Sequence, residues 1–216
     1  MNDIRGVLFD ADGTLIDTYD IILTSMRYAV NDVLGCSLDD AELMAGVGTP
    51  LYDQMLHFTG GDETRATEIT QIYRDHNDGV HDARIRAFGD TKAALERFQA
   101  AGIPMGVVTS KRHAMAQRGL EMSGIAGYFQ FLIGHDDWPE HKPAPGPILR
   151  GCELLGTAPE RSLYVGDSPF DIQAGNAAGC ATAAALWGMF PREALAAERP
   201  TFMCDSLTEL ADRLGI

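Results

Sequence analysis

The chain is short of positive charge. Its 216 residues hold 17 Lys and Arg against 31 Asp and Glu, for a formal net charge of -14. A broad nucleic-acid or anionic-membrane surface needs clustered Lys and Arg, so no nucleic acid and no membrane is expected as a partner. Cysteine is sparse: Cys36, Cys152, Cys180 and Cys204 are scattered and form no C-x-x-C pair. They read as reduced thiols of a cytoplasmic protein. No apolar run approaches the roughly 20 residues of a membrane helix. No signal peptide is read at the N-terminus, where Ile4-Arg5-Gly6-Val7-Leu8-Phe9 has the pattern of a first strand. Repeats and low-complexity segments are missing too. No G-x-G-x-x-G follows the first strand, which excludes a dinucleotide-binding reading.

What is present alternates. Short continuous apolar runs at 7–9, 103–108, 129–133, 163–165 and, more faintly, 182–186 have the pattern of strands buried on both faces of a parallel sheet. Amphipathic stretches at 90–101, 112–122, 145–155 and 170–178 separate them, so the expected fold class is α/β with a Rossmann-like parallel-sheet core. One interval breaks the rhythm. Residues 16–80 show only helical patterns, at 17–33, 39–44, from Thr49-Pro50 onward, and 63–76, with Gly60-Gly61 between the last two. Thr49 is the expected N-cap there and Pro50 the expected first helical residue. The domain expectation is a core of residues 1–15 and 82–216, interrupted by a helical cap at 16–81.

In parallel α/β sheets, ligands bind at the carboxyl ends of the strands. Asp10 and Asp12 follow the first run, Thr109, Ser110 and Lys111 the second, and Asp167 and Ser168 the run 163–165, with Asp171 one turn later. Lys142 stands in His141-Lys142-Pro143-Ala144-Pro145. Each has an ordinary explanation. Asp-x-Asp-Gly is a common turn, Thr109-Ser110 can cap a helix, and a loop lysine is usually solvated. Ser168-Pro169-Phe170-Asp171 has the form of a capping box, so Asp171 is either a cap or a site residue. Ordinary explanations do not account for four such features in order at one sheet edge.

Together these residues resemble the four ordered motifs of the haloacid dehalogenase superfamily: Asp10-x-Asp12-Gly13-Thr14, Thr109 after an apolar strand, Lys142 before a Pro-rich helix start, and Gly166-Asp167-x3-Asp171. The match spans nearly the whole chain, and the helical insertion is similar to the superfamily's small cap. Asp10 to Thr18, Val107 to Lys111 and His141 to Pro147 resemble the phosphoglycolate phosphatase-like branch. Tyr73-Arg74-Asp75-His76-Asn77 and His81-Asp82 carry a weaker likeness to bacterial inorganic pyrophosphatases of that branch.

The resemblance implies a Mg²⁺-dependent phosphatase acting on a small phosphorylated metabolite or pyrophosphate. Asp10 would be the nucleophile, forming an aspartyl-phosphate, and Asp12 the proton donor and acceptor. Thr109 and Lys142, with Gly13 and Ser110 beside them, would hold the phosphoryl group. Asp10, the Asp12 carbonyl and Asp167 would bind Mg²⁺, with Asp171 behind them or bound through water. One cation and one lysine meet a local need for positive charge that the global -14 does not contradict. Asp12 favours phosphoryl transfer over dehalogenation, because a leaving halide needs no proton. Sugar phosphomutase chemistry, and a non-enzymatic phospho-accepting switch, remain as alternatives. His76 and His81 are expected on the cap surface.

Overall fold

A computed structural model describes residues 4–216. Its centre is a six-stranded, all-parallel sheet in the order β3-β2-β1-β4-β5-β6. The strands are β1 (Gly6–Phe9), β2 (Met105–Val108), β3 (Leu132–Ile133), β4 (Ser162–Gly166), β5 (Ala181–Ala185) and β6 (Phe202–Cys204). β1, β2, β4 and β5 are buried at every residue, as their continuous apolar runs require. β6 was not legible in the sequence, since three residues at a sheet edge carry too little pattern.

Helices cover both faces of the sheet. Between the strands run α5 (Thr91–Ala100), α6 (His113–Met122), α7 (Gly146–Leu155), α8 (Pro169–Ala178) and α9 (Arg192–Ala197), and α10 (Leu207–Leu214) follows β6. One apolar cluster packs Phe9, Val107, Val165, Leu95, Phe98 and Leu210 together, and Phe9 meets Phe98 and Phe129 edge-on with centroids 6.0 Å apart. A second, on the opposite side, joins Leu8, Val108 and Tyr164 to Ile148, Cys152 and Ala174.

Between β1 and β2 lie α1 (Tyr19–Met26), α2 (Asp40–Met44), α3 (Leu51–Phe58) and α4 (Glu63–Arg84). Arg27–Val33 continues α1 as a wider π-helical segment. These helices enclose their own apolar cluster, in which Met26, Val30, Leu43, Met55, Ile69 and Tyr73 are all buried. α2 opens on a complete capping box, with Asp39 accepting from the Glu42 N–H at 2.9 Å and Glu42 accepting from the Asp39 N–H at 2.8 Å. At α3 the expected cap moves by one residue. Pro50 is the N-cap, and the Thr49 hydroxyl donates back to the Gly46 carbonyl at 2.7 Å, closing its own turn. α4 is longer than its apolar pattern suggested and runs to Arg84. His81, expected on the surface, is fully buried on its last turns, where Nδ1 meets Asp82 at 3.0 Å.

Candidate active site

Asp10 extends the pairing of β1 by one residue, its N–H donating to the Val165 carbonyl at 2.9 Å. That bond sets its buried carboxylate directly above the ends of β1 and β4. The chain then turns sharply, with the Leu15 and Ile16 N–H groups both donating to the Ala11 carbonyl. Gly13 takes φ +76° in this turn. A Cβ there would overlap the Asp167 carboxylate, so both backbone sign and space require glycine.

Asp167 is buried at the end of β4 and is held at both oxygens. The Thr14 hydroxyl donates to Oδ1 at 3.2 Å and the Met189 N–H to Oδ2 at 2.7 Å. Asp171, one turn into α8, forms the expected capping box with Ser168. Its Oδ2 accepts from the Ser168 N–H at 3.0 Å and the Ser168 hydroxyl at 2.6 Å. Its Oδ1 accepts from Lys142 Nζ at 2.5 Å and the Tyr164 hydroxyl at 3.2 Å. One carboxylate therefore caps α8 and also grips the site lysine. Nζ also lies 3.1 Å from Asp10 Oδ1, at an angle that makes no hydrogen bond.

Donor chemistry distinguishes the three carboxylates. Oxygens of Asp10, Asp167 and Asp171 approach within 4.8 Å of one another, all buried. A carboxylate offers about four acceptor positions, and Asp171 uses four of them on protein donors. Asp167 has positions left, and Asp10 Oδ1 is buried with the Lys142 ammonium as its one charged neighbour at 3.1 Å. Burial pushes Asp10 up to about 6, with Lys142 opposing and Asp171 adding to the rise. Asp167 is driven well above the usual carboxylate range by burial, and then by Asp171 and Asp10. Lys142 is raised: burial alone would lower it, but Asp10 and Asp171 outweigh that. One lysine facing three buried carboxylates leaves negative charge uncompensated, and the free oxygens of Asp10 and Asp167 fit a hard divalent cation.

Thr109 is buried at the end of β2, its N–H bonded to the Ile133 carbonyl at 2.9 Å, and its hydroxyl helps hold the Asp10 carboxyl down. The Ser110 hydroxyl donates to the Gly48 carbonyl at 2.7 Å, tying the β2 end to the α2–α3 turn. Asp12 lies outside the carboxylate cluster, against Lys111 with Nζ to Oδ1 at 2.8 Å. Two features escaped the sequence reading. Lys111 is the partner of Asp12, which its place beside Thr109-Ser110 could have suggested. The Gly188-Met189 backbone braces Asp167, and no side chain there carries a signal.

A cavity of about 960 Å³, counting its open mouth, joins these groups to the helices above. Asp10, Asp12, Thr109 and Asp167 line its floor; Gly48, Gln54, Tyr73, Arg74 and Asn77 line its opposite wall.

The family model "Haloacid dehalogenase-like hydrolase" matches residues 7–185. A curated relative named "Putative pyrophosphatase PpaX", from Clostridium perfringens, is 39% identical over 97% of this chain and 96% of its own. A "Pyrophosphatase PpaX" from Anoxybacillus flavithermus is 33% identical over 99% of this chain and 98% of its own. The crystal structure of a predicted phosphoglycolate phosphatase from Haemophilus somnus superposes with a TM-score of 0.84 at 25% identity, covering 99% of each chain. Phosphatases of this group generally use Mg²⁺, and no helix among the described residues is long and apolar enough to cross a membrane. With four motif segments at the carboxyl edge of a parallel sheet and relatives aligned along nearly its whole length, this chain belongs to the haloacid dehalogenase-like hydrolase family and is a phosphatase of that family.

Proposed function

We propose that the chain hydrolyses a small phosphorylated molecule through a phosphoryl-Asp10 intermediate. The observation that carries this reading is the convergence of Asp10, Lys142 and Asp167 in one buried cluster, with Asp10 Oδ1 left without a hydrogen bond. A carboxylate oxygen of Asp10 attacks phosphorus, and the bond from phosphorus to the leaving-group oxygen breaks. Asp12 gives that oxygen a proton. Water then attacks the aspartyl-phosphate, Asp12 takes the water's proton, and Asp10 is regenerated with release of phosphate. Lys142 and Thr109 hold the phosphoryl oxygens throughout, and Gly13 keeps the loop close to them.

Asp10 and Asp167, with the Asp12 carbonyl, are the residues that would hold Mg²⁺, which supplies positive charge between nucleophile and phosphate. Asp171 acts differently. Its acceptor positions are filled by Lys142, Tyr164 and Ser168, so it aims the lysine instead of binding metal. Residues 16–81 serve as a cap over the cavity, with Ser110 and Gly48 as one point of closure.

Pyrophosphate is the first substrate to test, on the likeness to the pyrophosphatase-named relatives. Phosphoglycolate is the second, on the likeness to the Haemophilus structure. The experiment is Mg²⁺-dependent phosphate release from both and from p-nitrophenyl phosphate, with acid-quenched protein mapped for a phosphoryl group on the peptide containing Asp10. Turnover that survives Asp10→Asn would sink the covalent route.

A further inference from the structure

Two guanidinium groups on the lining of the cavity make no direct ion pair among the described residues. Arg74 projects from α4 and Arg112 from the start of α6, and both line the same space as Asp10 and Asp12. Among the described residues neither makes an ion pair, although the chain holds 31 acidic residues for 17 basic ones. Lys111, their neighbour, is already neutralised by Asp12. The Arg74 Nε is buried with no acceptor. Burial, and next the nearby Arg112, lower the pKa of Arg74, while Asp78 and Asp136 only partly offset them. Two like charges facing one cavity repel each other unless an anion lies between them. Met26, Val47, Met115 and Phe190 add apolar surface to a lining that also holds Tyr52, Asn77 and Asp78. A guanidinium meets a phosphoryl or carboxylate group through charge-assisted, often bidentate hydrogen bonds.

We propose that Arg74 and Arg112 form a second anion-binding subsite for the leaving group, so that the substrate carries a second phosphoryl or carboxylate group beyond the phosphorus attacked by Asp10. This assignment rests on the phosphoryl end lying at Asp10 and Lys142. It makes the cavity a reader of charge: a monoester with a neutral leaving group fills the catalytic end and leaves both guanidiniums unpaired. The substrate class is then a small diphosphate anhydride or a phosphorylated carboxylic acid.

The test measures binding, so it does not depend on turnover. Calorimetric affinities are compared for methylenediphosphonate (two phosphonates), phosphonoacetate (phosphonate and carboxylate) and methylphosphonate (one phosphonate), with Mg²⁺ in excess. The wild-type protein should bind at least one two-anion probe roughly ten- to a hundredfold more tightly than methylphosphonate, the worth of one or two charge-assisted hydrogen bonds. The probe that wins identifies the second group as phosphoryl or carboxylate. Arg74→Gln and Arg112→Gln should each erode that preference, and the double variant should remove it. Arg150→Gln deletes a charge from the exposed outer side of α7, where Arg150 pairs with Glu153, and should retain the preference. Thermal melting checks that each variant is folded. Equal affinity of the wild type for all three probes overturns the subsite, as does a preference that persists in the folded double variant. The hydrolase reading fails on a different result, the absence of phosphate release from every ester and anhydride tried.

Discussion

Lys142 and Asp171 form a buried ion pair, Nζ to Oδ1 at 2.5 Å, in which the carboxylate is fully engaged by protein donors and the lysine is left pointing at Asp10. The pair is costly to bury and more costly to break, because either partner alone is an uncompensated charge inside the protein. Lys142→Met should therefore destabilise the fold by about 3–5 kcal/mol in urea titrations. Added Mg²⁺ should recover part of this loss, since a divalent cation relieves the same excess of negative charge. A variant as stable as wild type would show that the pair contributes no net stability.

Asp10→Asn and Asp12→Asn should fail in different ways. Loss of the nucleophile is expected to lower kcat by about four orders of magnitude or more. Loss of the proton-transfer group should cost about 10²–10⁴-fold. The Asp12 variant should still accumulate phosphoryl-protein from an activated ester such as p-nitrophenyl phosphate, whose leaving group needs little help from a proton. Rapid acid quench and intact mass distinguish the two.

Metal removal should expose the pH dependence of the carboxylate cluster. Burial sets Asp10 near 6 in the folded chain against an ordinary value of 3.8, and Asp167 is shifted in the same direction. Between those values the folded state holds a proton that the unfolded state has lost, so this contribution to stability falls as pH rises through 6. In EDTA the melting temperature of wild type should drop relative to Asp10→Asn over that window. Mg²⁺ should raise the wild-type melting temperature more at about pH 7 than at about pH 5, where protons compete for Asp10. Calorimetric scans at several pH values provide the comparison.

Gly13→Ala should be disproportionately damaging for so small a change. The new methyl group meets the Asp167 carboxylate, and the residue must also hold a positive φ. A loss of about 1–3 kcal/mol is expected, together with loss of Mg²⁺-dependent phosphate release. Gly60→Ala has a comparable φ of +66° but an open surrounding, so it isolates the backbone cost.

The sheet was legible because buried parallel strands write themselves as unbroken apolar runs, and Val7-Leu8-Phe9 and Leu163-Tyr164-Val165 could hardly be read otherwise. The carboxylates at their ends followed from topology. Other relationships were not legible, for a common physical reason. Asp12 with Lys111, Met189 with Asp167, and Ser110 with Gly48 are fixed by tertiary approach of loops, and two of the three use backbone groups that every residue carries. His81 was misplaced because a polar residue on a polar-looking helix reads as solvated; its burial comes from the approach of α6, where Gly119 leaves room for the ring. The cap role of Asp171 was legible in Ser168-Pro169-Phe170-Asp171, but its hold on Lys142 was not, because that contact joins residues 29 apart.

α4 is a single rod of 22 residues, and its last turns are fixed where His81 is buried and Asp82 pairs with Arg118. Arg74 sits eight residues, about 12 Å, from Asp82 along that rod. A swing of only about 10° about the anchored end would carry that part of the helix through roughly 2 Å, more than the margin between a made and a missed hydrogen bond. Because Ala66, Ile69 and Tyr73 bind α4 into the cap cluster, such a rotation would carry the cap helices with it and alter the reach of Arg74 into the cavity. Mutations near Arg118, which never touch the cavity, should be felt there first.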